Sequence, residues 1–203
     1  MSHTAPKFLA ALALLGGGLT LSTYALAESP AATAAANICA GCHGADGNSV
    51  ATTFPKLAGQ QKKYLLKELT DYKSGKRVSE IMAPFMVTLS EADLAELAAY
   101  YAKQKPTPGV PGDPAMLAVG KALYLKGNSK TDVPSCDGCH EENGNGDGKF
   151  PRVAGQHVDY ALDQFRLYAA GKRTNGARVM QTVAERMSEQ ETRAVAEYMA
   201  SMP

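Results

Sequence analysis

The chain has 203 residues, a formal charge of +1, 45% hydrophobic residues, 20% charged residues and four cysteines. It is too apolar and too weakly charged for a disordered chain. The near-neutral charge argues against a protein whose main task is to bind nucleic acid or anionic lipid. Four cysteines are too few for a disulfide-built small protein, and the length allows one large or two small domains.

The first 27 residues have the parts of a secretory signal peptide. Lys7 is the only formal charge, an apolar run extends from Phe8 to about Leu21, and Ala25-Leu26-Ala27 provides a small-x-small exit. The alternative is a retained membrane anchor, but residues 8–27 are barely long enough to span a bilayer and contain three consecutive glycines. We therefore predict cleavage near Ala27 and a periplasmic mature protein, in a compartment where disulfides are permitted.

The remaining chain contains the same domain twice. The motif Cys39-Ala-Gly-Cys42-His43 recurs 97 positions later as Cys136-Asp-Gly-Cys139-His140. The 24-residue segment that begins at Phe54 recurs at Phe150 with 11 identities, and a third block recurs at an offset of 98. This period is too long for a solenoid repeat. We predict domains at residues 28–106 and 113–203, joined by the Pro- and Gly-rich linker 107–112.

Each copy has the pattern of a helical domain. Ser90 and Ser188 each begin a capping box ahead of apolar residues at helical spacing. Asp113-Pro114 has the residues of a helix start, and glycine is placed where several helices should end, at Gly75, Gly127 and Gly171. No alternating β-pattern of useful length is present, so we predict an all-α fold.

The two Cys-x-x-Cys-His motifs predict two covalent haem c groups. In such a motif both thiols form thioethers to the haem, and the adjacent histidine, His43 or His140, binds the iron. Together the motifs use all four cysteines, Cys39, Cys42, Cys136 and Cys139. A zinc site of two cysteines and two histidines fails because His43 is the only histidine in the first copy after export. A thioredoxin-like site would need a βαβ setting, which the sequence lacks.

The second axial ligand must recur in both copies, and methionine satisfies this condition. Met82 and Met180 occupy matching positions just ahead of the two capping boxes. The competing Met86 is matched by Ala184, so we interpret it as a packing residue. The remaining histidine, His157, is matched by Gln61 and cannot be a shared ligand. We interpret His157 as a surface helix residue.

These motifs together resemble the class I cytochromes c and most closely the dihaem cytochrome c4 family, over nearly the whole mature chain. The resemblance is carried by ICAGCHGADGNS, FPKLAGQ, YLLKELTDYKSGKR, IMAPFM and the duplicated layout. It implies two tandem domains related by pseudo-twofold symmetry, with haems that face each other across the interface. It also implies that Pro55 and Pro151 offer carbonyl oxygens to the axial histidines. For the recurring pairs Lys76-Arg77 and Lys172-Arg173, a solvated helix end and a contact to haem propionates both remain open.

A haem iron with six ligands has no open position for substrate, so we predict an electron carrier and not an enzyme. The expected donor is a quinol-oxidising complex or a dehydrogenase, and the expected acceptor is a terminal oxidase or reductase. The alternatives are a dihaem enzyme, such as a peroxidase or small-molecule oxidoreductase, and a dedicated electron-transfer subunit of a dehydrogenase. We expect a monomer that does not bind nucleic acid, and a loose membrane association is compatible with the sequence.

Overall fold

The computed structural model describes residue 1 and residues 33–203. The rest of the predicted signal peptide, with its cleavage site near Ala27, lies outside the described residues. Among the residues that are described, no helix is long and apolar enough to cross a membrane.

From residue 33 onward, where the structure describes it, the first domain forms four helices. Helix α1 begins with a π-type stretch, Ala35–Cys39, and continues as Ala40–His43, followed by α2 (Lys62–Lys73), α3 (Ala83–Met86) and α4 (Glu91–Lys103). Helices α2 and α4 pack on each other, and their contact buries Leu65 and Leu97. Ala35 brings α1 onto this pair, beside Ala98 and Tyr101. The first Cys-x-x-Cys-His motif therefore lies at the end of a helix that is part of the core.

The second domain repeats this arrangement with one additional helix. A 3-10 turn, Pro114–Met116, leads into α5 (Leu117–Lys126), followed by α6 (Asp137–His140), α7 (Val158–Ala169), α8 (Val179–Arg186) and α9 (Glu189–Ser201). Its core forms where α5 and α7 pack against α9, around Tyr124, Val195 and Met199. The motif helix α6 is separated from α5 by a loop, whereas in the first domain the motif is continuous with α1. Residues 33–203 contain no β-strand, which confirms the predicted all-α class.

The local signals in the sequence place the helix ends correctly. Ser90 Oγ accepts a hydrogen bond from the Asp93 N–H at 3.2 Å, and the Asp93 carboxylate accepts one from the Ser90 N–H at 2.7 Å. Ser188 and Glu191 make the same reciprocal pair at the start of α9. Both predicted capping boxes are confirmed, and they fix where the last helix of each domain begins.

Candidate haem sites

The four motif cysteines lie in the wall of one large cavity, together with both motif histidines. All four thiols are unpaired and half-buried. Burial raises the pKa of Cys39, and burial with the added effect of Asp137 raises the pKa of Cys136 to about 12. Cys39 and Cys136 are therefore neutral thiols. All four cysteines face the cavity, and none of them forms a disulfide.

Each motif histidine is buried and held by a backbone carbonyl. His43 Nδ1 lies 2.9 Å from Pro55 O, and His140 Nδ1 lies 2.9 Å from Pro151 O. Because a carbonyl oxygen only accepts, Nδ1 carries the proton and donates it to the proline. Burial lowers the pKa of both imidazoles despite this hydrogen bond, so both rings are neutral. The lone pair of each histidine is therefore on Nε2, the atom available to a metal.

An aromatic ring stands beside each histidine in the same geometry. Phe54 meets His43, and Phe150 meets His140, edge to face with ring centroids 6.2 Å apart in both pairs. The phenylalanines directly precede the two prolines that accept the hydrogen bonds. Each Phe-Pro dipeptide therefore fixes its imidazole by a ring contact and a hydrogen bond together.

The cavity has the size and chemistry to hold two large apolar groups. Its volume is about 1820 Å³, well above the roughly 300–1,000 Å³ typical of a single ligand pocket. Apolar side chains from both domains line it, including Leu57, Leu65, Val153 and Phe165. In each domain the wall also supplies two thiols and one imidazole lone pair. This donor set and these walls fit one covalently attached haem per domain.

The methionines singled out from the sequence also reach this cavity. Met82 lies directly before α3, Met180 lies in the first turn of α8, and both are half-buried in the cavity wall. Met86 lines the cavity as well and is only 3% exposed, whereas its counterpart Ala184 is not one of the residues that line the cavity. Only the pair Met82 and Met180 thus supplies a thioether in both domains at matching positions.

A buried network of charged and polar side chains closes the cavity between the domains. Arg77 donates to Glu68 of its own domain at 2.5 Å and to Gln164 of the second domain at 2.9 Å. Arg173 makes the mirrored contacts, to Gln164 at 2.9 Å and to Glu68 at 3.0 Å. Asn175 also donates to Glu68 across the interface. Burial alone would raise the pKa of Glu68, but the two guanidinium groups hold it below its usual value.

This network resolves the interpretation of the two Lys-Arg pairs. Arg77 and Arg173 are 8% and 5% exposed, so the reading of the pairs as a solvated helix end is wrong for the arginines. Lys76 and Lys172 are exposed, as expected for a solvated helix end. The arginines instead line the cavity and join the domains.

The interpretation of His157 as a surface helix residue is also wrong. His157 is half-buried just before α7, and its Nε2 donates to Ser49 O of the first domain at 2.8 Å. The matching residue, Gln61, donates to Asn145 O at 2.8 Å in the opposite direction. Residues 61 and 157 are therefore equivalent interdomain contacts, and their difference in type concealed this in the sequence.

Comparison with known proteins agrees with this geometry. The family model described as cytochrome c matches twice, over residues 29–105 and 117–203. Two matches in tandem, each containing one Cys-x-x-Cys-His motif, define a two-domain c-type cytochrome. Cytochrome c4 of Pseudomonas aeruginosa is 41% identical, and the alignment covers 97% of this chain and 98% of that protein. The crystal structure of reduced recombinant cytochrome c4 from Pseudomonas stutzeri superposes with a TM-score of 0.80 at 37% identity, over 85% of this chain and 97% of that one.

The chain belongs to the dihaem cytochrome c4 family. It is an electron-transfer protein with two covalently bound haem c groups, one per domain, and not an enzyme. A further relative carries a more specific description: the thiosulfate dehydrogenase electron acceptor of Stutzerimonas stutzeri is 37% identical over 84% of this chain and 82% of that protein.

Proposed function

We propose that the protein carries single electrons through two haem sites of the same histidine–methionine type. In the first domain Cys39 and Cys42 attach the haem, and His43 and Met82 bind its iron. In the second domain Cys136 and Cys139 attach it, and His140 and Met180 are the axial ligands. Pro55 and Pro151 orient the histidines. The observation that carries the proposal is the matched set of two thiols, one imidazole lone pair and one thioether on the cavity wall of each domain.

The residues in this arrangement set the redox behaviour and protect the iron. A bound haem supplies reversible one-electron chemistry between ferric and ferrous iron. With a methionine and a histidine as ligands, a bound haem iron would favour the ferrous state, and the apolar wall would keep water from it. With one histidine and one methionine as its protein ligands, a bound haem iron would have no position left for substrate. The domains extend over residues 28–106 and 113–203, and the linker 107–112 joins them.

The proposed setting is the periplasm, after removal of residues 1–27. There the protein would accept electrons from a quinol-oxidising complex or a dehydrogenase and pass them to a terminal oxidase or reductase. Such redox encounters bury little surface and are short-lived. The signal-like start of the sequence and the family membership support this setting.

Replacement of Met180 by histidine tests the ligand assignment. A second imidazole in place of the thioether should lower the midpoint potential of the haem in the second domain and leave the other nearly unchanged. The measurement is a redox titration followed by visible absorption. Met86→Leu is the matched control and should leave both waves and the methionine-to-ferric-iron band in place. Equal shifts of both waves by Met180→His would contradict the assignment, as would loss of ligation in Met86→Leu.

The relative described as a thiosulfate dehydrogenase electron acceptor favours a second candidate, a dedicated acceptor for one dehydrogenase. That role predicts fast reduction by thiosulfate in the presence of a thiosulfate dehydrogenase, and stable co-purification with it. The general carrier role predicts reduction by several donors at comparable rates. Stopped-flow reduction by a thiosulfate dehydrogenase and by a quinol-oxidising complex separates the two roles.

A further inference from the structure

One glutamine in each domain, Gln60 in the first and Gln156 in the second, forms hydrogen bonds with the backbone of the other domain. Gln60 Nε2 donates to Arg152 O at 2.8 Å, and Gln60 Oε1 accepts from the Arg152 N–H at 2.7 Å. Gln156 makes the same two-way contact with Lys56, at 3.0 Å in both directions. The four bonds obey the pseudo-twofold symmetry of the domain pair. Each side-chain amide therefore holds one backbone segment of the opposite domain at two points.

The peptide groups held in this way are those that orient the axial histidines. The N–H of Arg152 belongs to the same peptide unit as the C=O of Pro151, which accepts from His140 Nδ1. A peptide unit is planar and rigid. When Gln60 fixes the N–H of this unit, it also fixes the direction of the carbonyl that the imidazole meets. The unit Pro55–Lys56 stands in the same relation to Gln156 and His43.

The residue after each glutamine contacts a backbone loop near the motif of the opposite domain, not the peptide unit that meets the imidazole. Gln61 donates to Asn145 O and Gly146 O, and the Gly146 N–H donates to His140 O. In the other direction, His157 donates to Ser49 O, and Ser49 Oγ donates to Cys42 O. These contacts support the motif loop from outside. They do not touch the peptide unit that meets the imidazole, which makes Gln61 a suitable control.

We propose that Gln60 and Gln156 are crossed positioning residues, each orienting the axial histidine of the domain to which it does not belong. Gln60 acts on His140 through the Pro151–Arg152 peptide, and Gln156 acts on His43 through Pro55–Lys56. A hydrogen bond from the outer ring nitrogen raises the basicity of a metal-bound imidazole. Loosening of the accepting carbonyl should therefore make the histidine a weaker donor, destabilise ferric iron and raise the potential. The inference rests on the proposed role of the two histidines as axial ligands.

The test is a redox titration of the full dihaem protein carrying Gln60→Ala or Gln156→Ala. Gln60→Ala should raise the midpoint potential of the second-domain haem and leave that of the first-domain haem nearly unchanged. Gln156→Ala should raise the midpoint potential of the first-domain haem instead. The wave that Met180→His displaces identifies the second domain. We expect the ferric-to-ferrous ratio at the native midpoint to fall roughly three- to tenfold, since loss of such a partner alters metal affinity by about 10–100-fold. For one electron, tenfold corresponds to about 59 mV.

Two further variants keep the outcomes distinct. Gln61→Ala removes an interdomain contact of similar size and should leave both waves nearly in place. Gln60→Leu removes the amide but keeps the volume of the side chain, so it can be used if Gln60→Ala does not bind two haems. It should shift the midpoint potential of the same haem. A shift of the haem in the substituted residue's own domain, equal shifts of both waves, or equal effects of Gln60→Ala and Gln61→Ala would overturn the crossed positioning. If Met180→His moved neither wave, the axial assignment would fail instead.

Discussion

The residues that we propose to attach and bind the haems stand out in the sequence because their chemistry is local. Two thiols and a histidine within five positions form a complete attachment unit, and duplication allowed each candidate to be checked against its counterpart. The same comparison separated Met82 from Met86, because only Met82 has a methionine at the matching position. The structure places these residues in one cavity wall.

The interdomain residues could not be predicted, because their partners are remote in sequence and their types are ambiguous. The Arg77–Tyr160 contact spans 83 positions, and the Arg173–Tyr64 contact spans 109. A Lys-Arg pair after a helix is compatible both with a solvated helix end and with a buried interdomain contact. Only the burial seen in the structure distinguishes these two possibilities. His157 was hidden by a different cause. Its counterpart is glutamine, and a comparison of residue types does not show that imidazole and amide donate equivalent bonds.

At the scale of helices, local signals in the sequence predicted the helix ends but not the packing partners. Asp113 Oδ1 accepts from the Ala115 N–H at 2.9 Å at the predicted start of the second domain. Gly127 follows α5 with φ +64°, as predicted for a helix stop. Both signals depend on backbone groups close in sequence. The angle at which α5 crosses α9 depends instead on the space available at one position, Gly120.

Gly120→Ala should destabilise the second domain by forcing α5 away from α9. A Cβ at this position would lie 2.0 Å from Ala194 O, and a backbone oxygen cannot move aside as a side chain can. We expect the free energy of unfolding to fall by about 3 kcal/mol, at the upper end for overpacking. Urea unfolding followed by circular dichroism measures the change. The control Val119→Ala, at a position 56% exposed on the same helix, should change stability by no more than about 0.5 kcal/mol. An unchanged midpoint for Gly120→Ala would mean that the crossing is not fixed by backbone contact.

At the scale of the whole molecule, the domain interface combines symmetric contacts, made by residues that both copies share, with one asymmetric contact, made where the copies differ. Symmetric contacts arise from residues that both copies retain, including Gln60 with Gln156 and Arg77 with Arg173. Glu68 breaks the symmetry, because its counterpart is Gln164. The two arginines therefore share one buried carboxylate and one neutral amide. The carboxylate that both arginines share belongs to the first domain, so the stability of the interface should depend on that residue.

Glu68→Gln should weaken the domain interface in a manner that depends on pH. At neutral pH it leaves two buried guanidinium groups without their shared carboxylate, and we expect a loss of about 3–5 kcal/mol in the free energy of unfolding. Arg77 and Arg173 hold the pKa of Glu68 below its ordinary value of 4.5, despite burial. The unfolded chain therefore binds the proton more readily than the folded one. The carboxylate's contribution is complete above about pH 4.5 and is lost as pH falls through the lowered folded pKa.

The gap between wild type and Glu68→Gln should therefore narrow below about pH 4.5, because glutamine has no proton to gain. Urea unfolding of the dihaem protein at a series of pH values between about 3 and 7 measures this gap. Glu96→Gln, which removes an exposed carboxylate from α4, should differ from wild type by no more than about 0.5 kcal/mol at neutral pH. A gap for Glu68→Gln that stayed constant across the series would show that Glu68 is not held ionised by the two arginines. If the difference in unfolding free energy between wild type and Glu68→Gln narrows at low pH, then Glu68, which has a glutamine as its counterpart in the second domain, makes the stability of the interface depend on pH.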